Sequence, residues 1–394
     1  MESPSLFRKL QDAKLKRQDA KLTRRFDQLS NAIYSIDIDL KMSEVEIVAL
    51  SKRVQRKVTK NPILARIVTM DPSKMSLLSV ACTLERKSKI ELFHPAIKCL
   101  IEANPSALLW KDDRSRTITC EIACHSSNYV LMPWIATNYQ WVLNDEGILI
   151  NPPVYCLIDQ YANRGATGCS AAIIQQFFEA YPRGLTRTNE YGFTPLHAIL
   201  SGSTGCEPAL FKWLTEQCPN NMSETDNNEQ TPLHRACYLL THHLGYDSSE
   251  ICKYLIAECP QSVRELERWG RLPIHYLLEH CQHRTVKEVV VSLLRSYPES
   301  YDMAPEFTAV TSSIPFVQRI KPLLDEESEL KENAAYFQQV SETFFDAVDG
   351  TKNPRQLASS TCHAFGDWAK SFTRDLEAKI EQIVNQLQDQ CNED

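Results

Sequence analysis

The tetrapeptide Thr-Pro-Leu-His occurs twice, at Thr194-Pro195-Leu196-His197 and Thr231-Pro232-Leu233-His234, and returns in degraded form as Leu272-Pro273-Ile274-His275. Each copy can start a helix. Thr is a good N-cap, Pro at the first helical position lacks only an N–H that would be orphaned there anyway, and His three residues on can reach back. Three such signatures in register make the chain a repeat protein. The second copy continues Arg235-Ala236-Cys237, and this Ala-Cys reveals fainter copies at Ser76 to Cys82 and Ile118 to Cys124, with Pro152-Pro153-Val154-Tyr155 filling the gap. The anchors 76, 118, 152, 194, 231 and 272 lie 42, 34, 42, 37 and 41 residues apart, the period of stacked supersecondary units.

The second half of each unit is as regular as the first. Residues 93–105, 129–139, 171–182, 208–219, 250–260 and 288–298 are apolar at helical spacing, and five of the six stop at a Pro, which ends a helix. A polar connector such as Asn189-Glu190-Tyr191-Gly192 or Asp226-Asn227-Asn228-Glu229 then leads into the next copy. A unit reads as helix, loop, helix, turn. Residues beyond a compact repeat fall between the paired helices, in 163–170, 201–207 and 242–249.

Thr231 to Ala236 matches in full, and Thr194 to His197 in part, the Thr-Pro-Leu-His-x-Ala pattern of the ankyrin repeat. Residues 61–320 resemble that family, with longer units than its usual length of about 33 residues and sparse Gly between helices. The resemblance implies an all-α fold, an ankyrin-like α-solenoid of about six helix-loop-helix repeats with flanking N- and C-terminal helices. It also implies a non-catalytic scaffold or adaptor that binds another protein through exposed connector tips and inner helices. Carried over residue by residue, the expected contacts are Asp112, Asp113 and Arg114; Asn189, Glu190 and Tyr191; Asp226, Asn227, Asn228 and Glu229; and Glu267, Arg268 and Trp269.

Three regions follow: basic N-terminal helices with a coiled-coil pattern over 1–60, the repeats over 61–320, and an acidic helical hairpin or cap over 321–394. Residues 1–66 carry 15 Lys and Arg against 8 Asp and Glu, whereas residues 321–394 carry 7 against 15. In the first region Leu22, Phe26, Leu29, Ile33 and Ile36 alternate steps of four and three, a seam that needs a partner. A second helix starts at Ser43, with Glu46 completing a capping box, and ends at Asn61-Pro62. In the last region Leu330 to Val348 and Phe365 to Leu387 read as two antiparallel amphipathic helices. They either cover the last repeat or join chains as a homo-oligomer, in which case the repeats act as a spacer in an assembly or regulatory protein.

The chain has 394 residues, 43% hydrophobic and 24% charged, an ordinary globular balance. No run approaches the roughly 20 apolar residues of a membrane span, and Met1-Glu2-Ser3-Pro4 does not begin an apolar signal core. The expectation is a cytoplasmic or nuclear protein without a membrane partner. The 14 cysteines include no Cys-x-x-Cys. Cys82, Cys124 and Cys237 align at one helical position and Cys218 and Cys259 at another, so they read as reduced core residues. That register outweighs a zinc reading of Cys120, Cys124 and His125. The chain lacks a nucleophile elbow, a phosphate loop and a His-Glu-x-x-His, so neither enzyme nor cofactor is expected. Basic residues from Lys14 to Arg25 are interleaved with Asp12, Asp19 and Asp27 and have no aromatic stacking platform, which favours a solvated face over nucleic-acid binding.

Overall fold

The computed structural model describes residues 20–33, 43–66, 76–82, 90–111, 116–124, 128–144, 152–164, 169–203, 205–242, 246–278, 280, 283–301, 314–349 and 359–392. Among these residues the protein is all-helical, with no strand. Helices α1 (20–33) and α2 (Glu44–Lys60) are followed by six pairs. These are α3 (Leu77–Cys82) with α4 (His94–Ala103); α5 (Ile118–Cys124) with α6 (Met132–Asn138), the latter followed by the short α7 (Gln140–Leu143); and α8 (Pro153–Arg164) with α9 (Ala171–Ala180). Then come α10 (Pro195–Ile199) with α11 (Pro208–Gln217), α12 (Pro232–His242) with α13 (Tyr246–Glu258), and α14 (Pro273–Leu278) with α15 (Arg284–Ser296). Two long helices follow, α16 (Ile314–Asp349) and α17 (Ser359–Asn392). No helix among the described residues is long and apolar enough to cross a membrane.

The chain divides into two compact units, Met1–Cys218 and Pro219–Asp394. Within the first, α3 packs on α5, α5 on α8 and α8 on α10, while α2 packs on α4 and α6 on α9. Within the second, α12 packs on α14 and α13 on α15. First helices therefore meet first helices and second helices meet second helices. The interior of the first unit is apolar, with Phe93, Phe177, Phe178 and Phe211 at most 1% exposed. Burying each such ring is worth about 1.5–3 kcal/mol.

Five of the six second helices end the same way; α6 ends at Tyr139 with no proline after it. Asn104, Tyr181, Cys218, Cys259 and Tyr297 precede prolines and share φ between −134° and −151° with ψ between 64° and 84°. The proline ring disfavours helical geometry at the residue before it. Each Pro then opens a single 3-10 turn: Pro105–Leu109, Pro182–Thr186, Pro219–Met222, Pro260–Arg264 and Pro298–Tyr301. A turn of helix thus occupies the start of what reads as a polar connector. Asn61-Pro62 repeats the device at the end of α2, with φ −150° and ψ 79°, and Pro62–Arg66 is again 3-10. Helix α2 is therefore built like the second helix of a pair, and its capping box between Ser43 and Glu46 is present as expected.

The structure shifts one anchor by a residue. Thr117, not Ile118, occupies the cap position of α5, because its hydroxyl accepts from the Cys120 N–H at 3.3 Å. Ser76 caps α3 in the same way, accepting from Ser79 N–H at 3.0 Å. Alignment on the caps Ser76, Thr117, Pro152, Thr194, Thr231 and Leu272 places Ala123, not Cys124, with the core residues Cys82 and Cys237. Both of those are fully buried, and Cys124 is only half-buried. Between paired helices, 242–249 is mostly helical, since α12 runs to His242 and α13 starts at Tyr246.

The stripe of α1 is covered by its own chain, with Phe26, Leu29 and Ile33 at most 2% exposed; Ile36 lies outside the described residues. At the other end α16 and α17 pack on each other, and both touch α15. The contact is apolar at Phe316, Val317, Ile320, Ile383 and Leu387 and ionic at Glu327. The buried Glu327 carboxylate receives Arg295 Nε at 3.0 Å, Arg295 Nη2 at 2.9 Å and Lys331 Nζ at 2.7 Å. Burial alone would raise its pKa, but the hydrogen bonds from Lys331 and Arg295 outweigh it and hold the group below its usual value.

The turn after α10 closes on α8 without room for a side chain. A Cβ on Gly202 would stand 2.3 Å from both the Ala162 Cβ and its carbonyl oxygen. Gly202→Ala is expected to lower stability by about 1–3 kcal/mol through overpacking, measured as a lower urea midpoint. Gly205, with open space around its Cβ position, tests only its positive φ.

Candidate functional site

The tips between repeats are built on one hydrogen-bond plan. In the first unit Asn189 N–H donates to Phe193 O at 3.2 Å and Gly192 N–H to Asn189 O at 3.0 Å. In the second, Asp226 N–H donates to Gln230 O at 2.9 Å and Glu229 N–H to Asp226 O at 2.9 Å. The next tip repeats this with Glu267 N–H to Arg271 O at 3.0 Å and Gly270 N–H to Glu267 O at 2.8 Å. The fourth residue of each tip has positive φ: 73° at Gly192, 61° at Glu229 and 74° at Gly270. Glycine meets that demand at no steric cost, whereas Glu229 does not.

The first residue of a tip acts as a clamp. Asn189 Oδ1 accepts from the N–H groups of Tyr191 and Phe193, both at 3.0 Å. Asp226 Oδ1 accepts from Asn228 N–H at 2.7 Å and Gln230 N–H at 3.0 Å, while its Oδ2 takes Arg235 Nη2 at 2.9 Å. Glu267 is one methylene longer and serves its neighbours instead. Its carboxylate accepts from Gln230 Nε2, Arg271 Nε and, at 2.7 Å, the Tyr276 hydroxyl. Asp226 and Glu267, expected at the surface as partner contacts, are thus 5% and 2% exposed and engaged by the fold.

The other expected contacts divide by exposure. Glu190, Tyr191, Asn227, Glu229, Arg268 and Trp269 are exposed, and Asn189 and Asn228 are half-buried. Arg268 N–H donates to Asn228 O at 3.0 Å, joining the two tips of the second unit directly. Asp112, Asp113 and Arg114 lie outside the described residues, flanked by an antiparallel bridge between Lys111 and Thr117. So does His125 of the zinc reading, and among the described residues no group of three His, Cys, Asp or Glu side chains is disposed to hold a metal ion.

The tip reading missed a band of aromatic side chains beside the tips of the second unit. The Arg271 guanidinium lies 4.4 Å from the Tyr276 ring centroid and 5.9 Å from that of Trp269. Tyr276 meets Tyr238 edge-on at 6.0 Å, and Tyr238 lies 4.4 Å from His242. Trp269 is 59% exposed and Tyr238 46%, large apolar areas for solvent-facing positions. Tyr238 stands one turn after the buried His234 on the same face of α12, so its exposure is not read from the helical pattern.

The recurring histidines stitch repeats together. His234 Nδ1 accepts from Thr231 N–H at 3.1 Å, so the ring proton sits on Nε2, which donates to Arg271 O at 3.2 Å. His275 repeats the arrangement, with Nδ1 accepting from Leu272 N–H at 2.9 Å and Nε2 donating to Ser300 O at 3.1 Å. His197 Nδ1 likewise receives Thr194 N–H at 3.3 Å. At the same position of the third repeat stands Tyr155, whose hydroxyl reaches Arg187 O at 2.7 Å and Phe193 O, the counterpart of Arg271 O. His234, His275 and Tyr155 thus each bond a carbonyl of the following segment from the helix starts where this position recurs.

No protein-family model matches this chain, and no curated protein matches it.

Two outcomes follow from this geometry. Burial brings the His234 pKa down from 6.5 to about 4, so the unfolded chain binds the proton first as pH falls. Stability is full above pH 6.5 and declines toward pH 4. Between pH 7 and pH 5.5 the His234 contribution is a loss of about 1 kcal/mol, and His234→Gln should flatten the dependence of the urea midpoint on pH correspondingly. At the tip, Glu229→Gly relieves a left-handed glutamate and is expected to raise stability by up to about 1 kcal/mol, read as a higher thermal midpoint, whereas Gly270→Ala lowers it.

Proposed function

We propose that the chain is a divergent ankyrin-type solenoid with no catalytic role, a scaffold that binds another protein through the tips and inner helices of its second unit. The repeated cap, helix pair, pre-proline stop and clamped tip support the family reading. One observation carries the function: the exposed Trp269, Arg268 and Tyr238, continuous with Arg271, Tyr276 and His242, on a support of buried carboxylate bonds. Aromatic residues and Arg dominate binding energy at protein interfaces, and anchors held rigidly lose little entropy on binding. Glu229, kept at positive φ on an exposed tip where two sister tips have Gly, fits the pattern of strain retained at recognition sites.

A second reading rests on α17, where Trp368 is 54% exposed and stacks on Phe372 at 5.6 Å. There the terminal helices make the contact and the repeats space them apart. Affinity capture with the full chain separates the readings. The triple change Tyr238→Ala, Arg268→Ala and Trp269→Ala is expected to weaken the specific partner by at least about a hundredfold with an unchanged helical spectrum. Partners that survive this change but are lost with Trp368→Ala and Phe372→Ala would overturn the tip reading in favour of the second.

A further inference from the structure

Cys120 occupies the position that His234 and His275 fill in later repeats, three residues after the cap. The Thr117 hydroxyl donates to its sulfur at 3.3 Å, as Thr231 Oγ1 meets His234 Nδ1 at 2.9 Å. A side chain there points into the next repeat. In the second unit His234 meets Tyr276, four residues past the next cap, with ring centroids 6.3 Å apart. The residue four past the cap of α8 is Cys156, and α5 packs on α8. Cys156 lies close enough to Cys120, and to Cys124 one turn further along α5, for their sulfurs to perturb its thiol. Cys120 is 2% exposed and Cys156 8%, while Cys124 at the end of α5 is half-buried, so the three-thiol cluster lies one helical turn from the surface.

We propose that Cys120 and Cys156 form a reversible disulfide when the protein meets hydrogen peroxide, tying one repeat covalently to the next. Cys120 is the attacking sulfur because two donors, the Cys156 thiol and the Thr117 hydroxyl, converge on it and favour its thiolate over the penalty of burial. Thiolate attack breaks the O–O bond, leaving a sulfenic acid on Cys120 and releasing hydroxide. The Cys156 sulfur then displaces that hydroxyl and gives up its proton, so two thiols and one peroxide become a disulfide and two waters. Cys156 is the partner because it lies across the repeat boundary from Cys120, whereas Cys124 is on the same helix. A second thiol pair supplies the contrast: Cys237 and Cys252 lie close enough to perturb each other but are fully buried, and burial pushes the Cys237 thiol well up.

The test treats the full chain with peroxide, alkylates the remaining thiols and maps peptides without reductant. Trypsin leaves all three cysteines on residues 117–164, which contain no internal Lys or Arg, so cleavage after Glu121 combined with chymotrypsin is needed to separate them. The expected result is a Cys120–Cys156 peptide pair, removed by dithiothreitol and formed at least about tenfold faster than any Cys237–Cys252 link. Cys124→Ser should keep the link. Cys156→Ser should leave a sulfenic acid on Cys120 that a dimedone probe captures. A bridge from Cys156 to Cys124, loss of the link in Cys124→Ser, or Cys156 fully alkylated after peroxide would each overturn the proposal.

Discussion

A backbone carbonyl at the end of a tip has two lone pairs, and its own turn uses only one of them. Arg271 O takes Glu267 N–H from its own tip and His234 Nε2–H from the preceding repeat; Phe193 O takes Asn189 N–H and the Tyr155 hydroxyl. The stack within each unit depends on that second bond. It fixes the register of one repeat on the next, because a buried carbonyl left half-satisfied and a buried imidazole N–H left unpaired would each cost about 1–3 kcal/mol. Apolar packing supplies more free energy, but it is non-directional and tolerates sliding. Directional bonds at the helix starts remove that freedom, and they position the tips because the accepting carbonyl is the tip's last residue.

A consequence is that rigidity and recognition are coupled in the second unit. Glu267 collects Gln230 from the previous repeat and Arg271 and Tyr276 from its own, which aligns the Arg271 guanidinium over two aromatic rings. Charge is therefore balanced beneath the surface while aromatic faces remain above it. Around Arg271 and Tyr276 that surface presents apolar area over charge that is already paired, which lowers a desolvation cost that limits many interfaces.

Much of this was legible in the sequence, and the rest failed for identifiable reasons. The Thr-Pro-Leu-His copies located α10 and α12, and the terminating prolines located the ends of the second helices, because caps and prolines act through their own backbone. The 3-10 turns were not legible, since Pro at N1 suits a 3-10 turn as well as it ends the helix before it. Ile118 was read as an anchor one residue late, because the Ala-Cys match drew the alignment onto Cys124 when the equivalent core position is Ala123. Among the tip residues, exposure could not be read from polarity. Asp226 and Glu267 look like surface acids, yet their carboxylates are consumed by N–H groups and arginines that only the folded tip brings close. The band of Tyr238 and Tyr276 was not legible, because the two lie 38 residues apart along the chain and meet only where first helices stack.

The position three past the cap also accounts for how the two units would respond to their surroundings. It needs a donor long enough to cross to the next repeat, or a partner there that reaches back, and it must be neutral because it is buried. Histidine meets that requirement only above its pKa. Tyrosine meets it throughout, since burial pushes the Tyr155 phenol further from ionisation. Cysteine is too short to reach a carbonyl and meets a second thiol instead. Acid therefore acts on Pro219–Asp394 through His234 and His275, which make the carbonyl bonds, and loosens the residue that ends the tip bearing Trp269. Oxidation acts on Met1–Cys218, where the thiol contact stands in the same slot. One architectural position, filled by different side chains, thus carries different chemical sensitivities without any change in the fold that contains it.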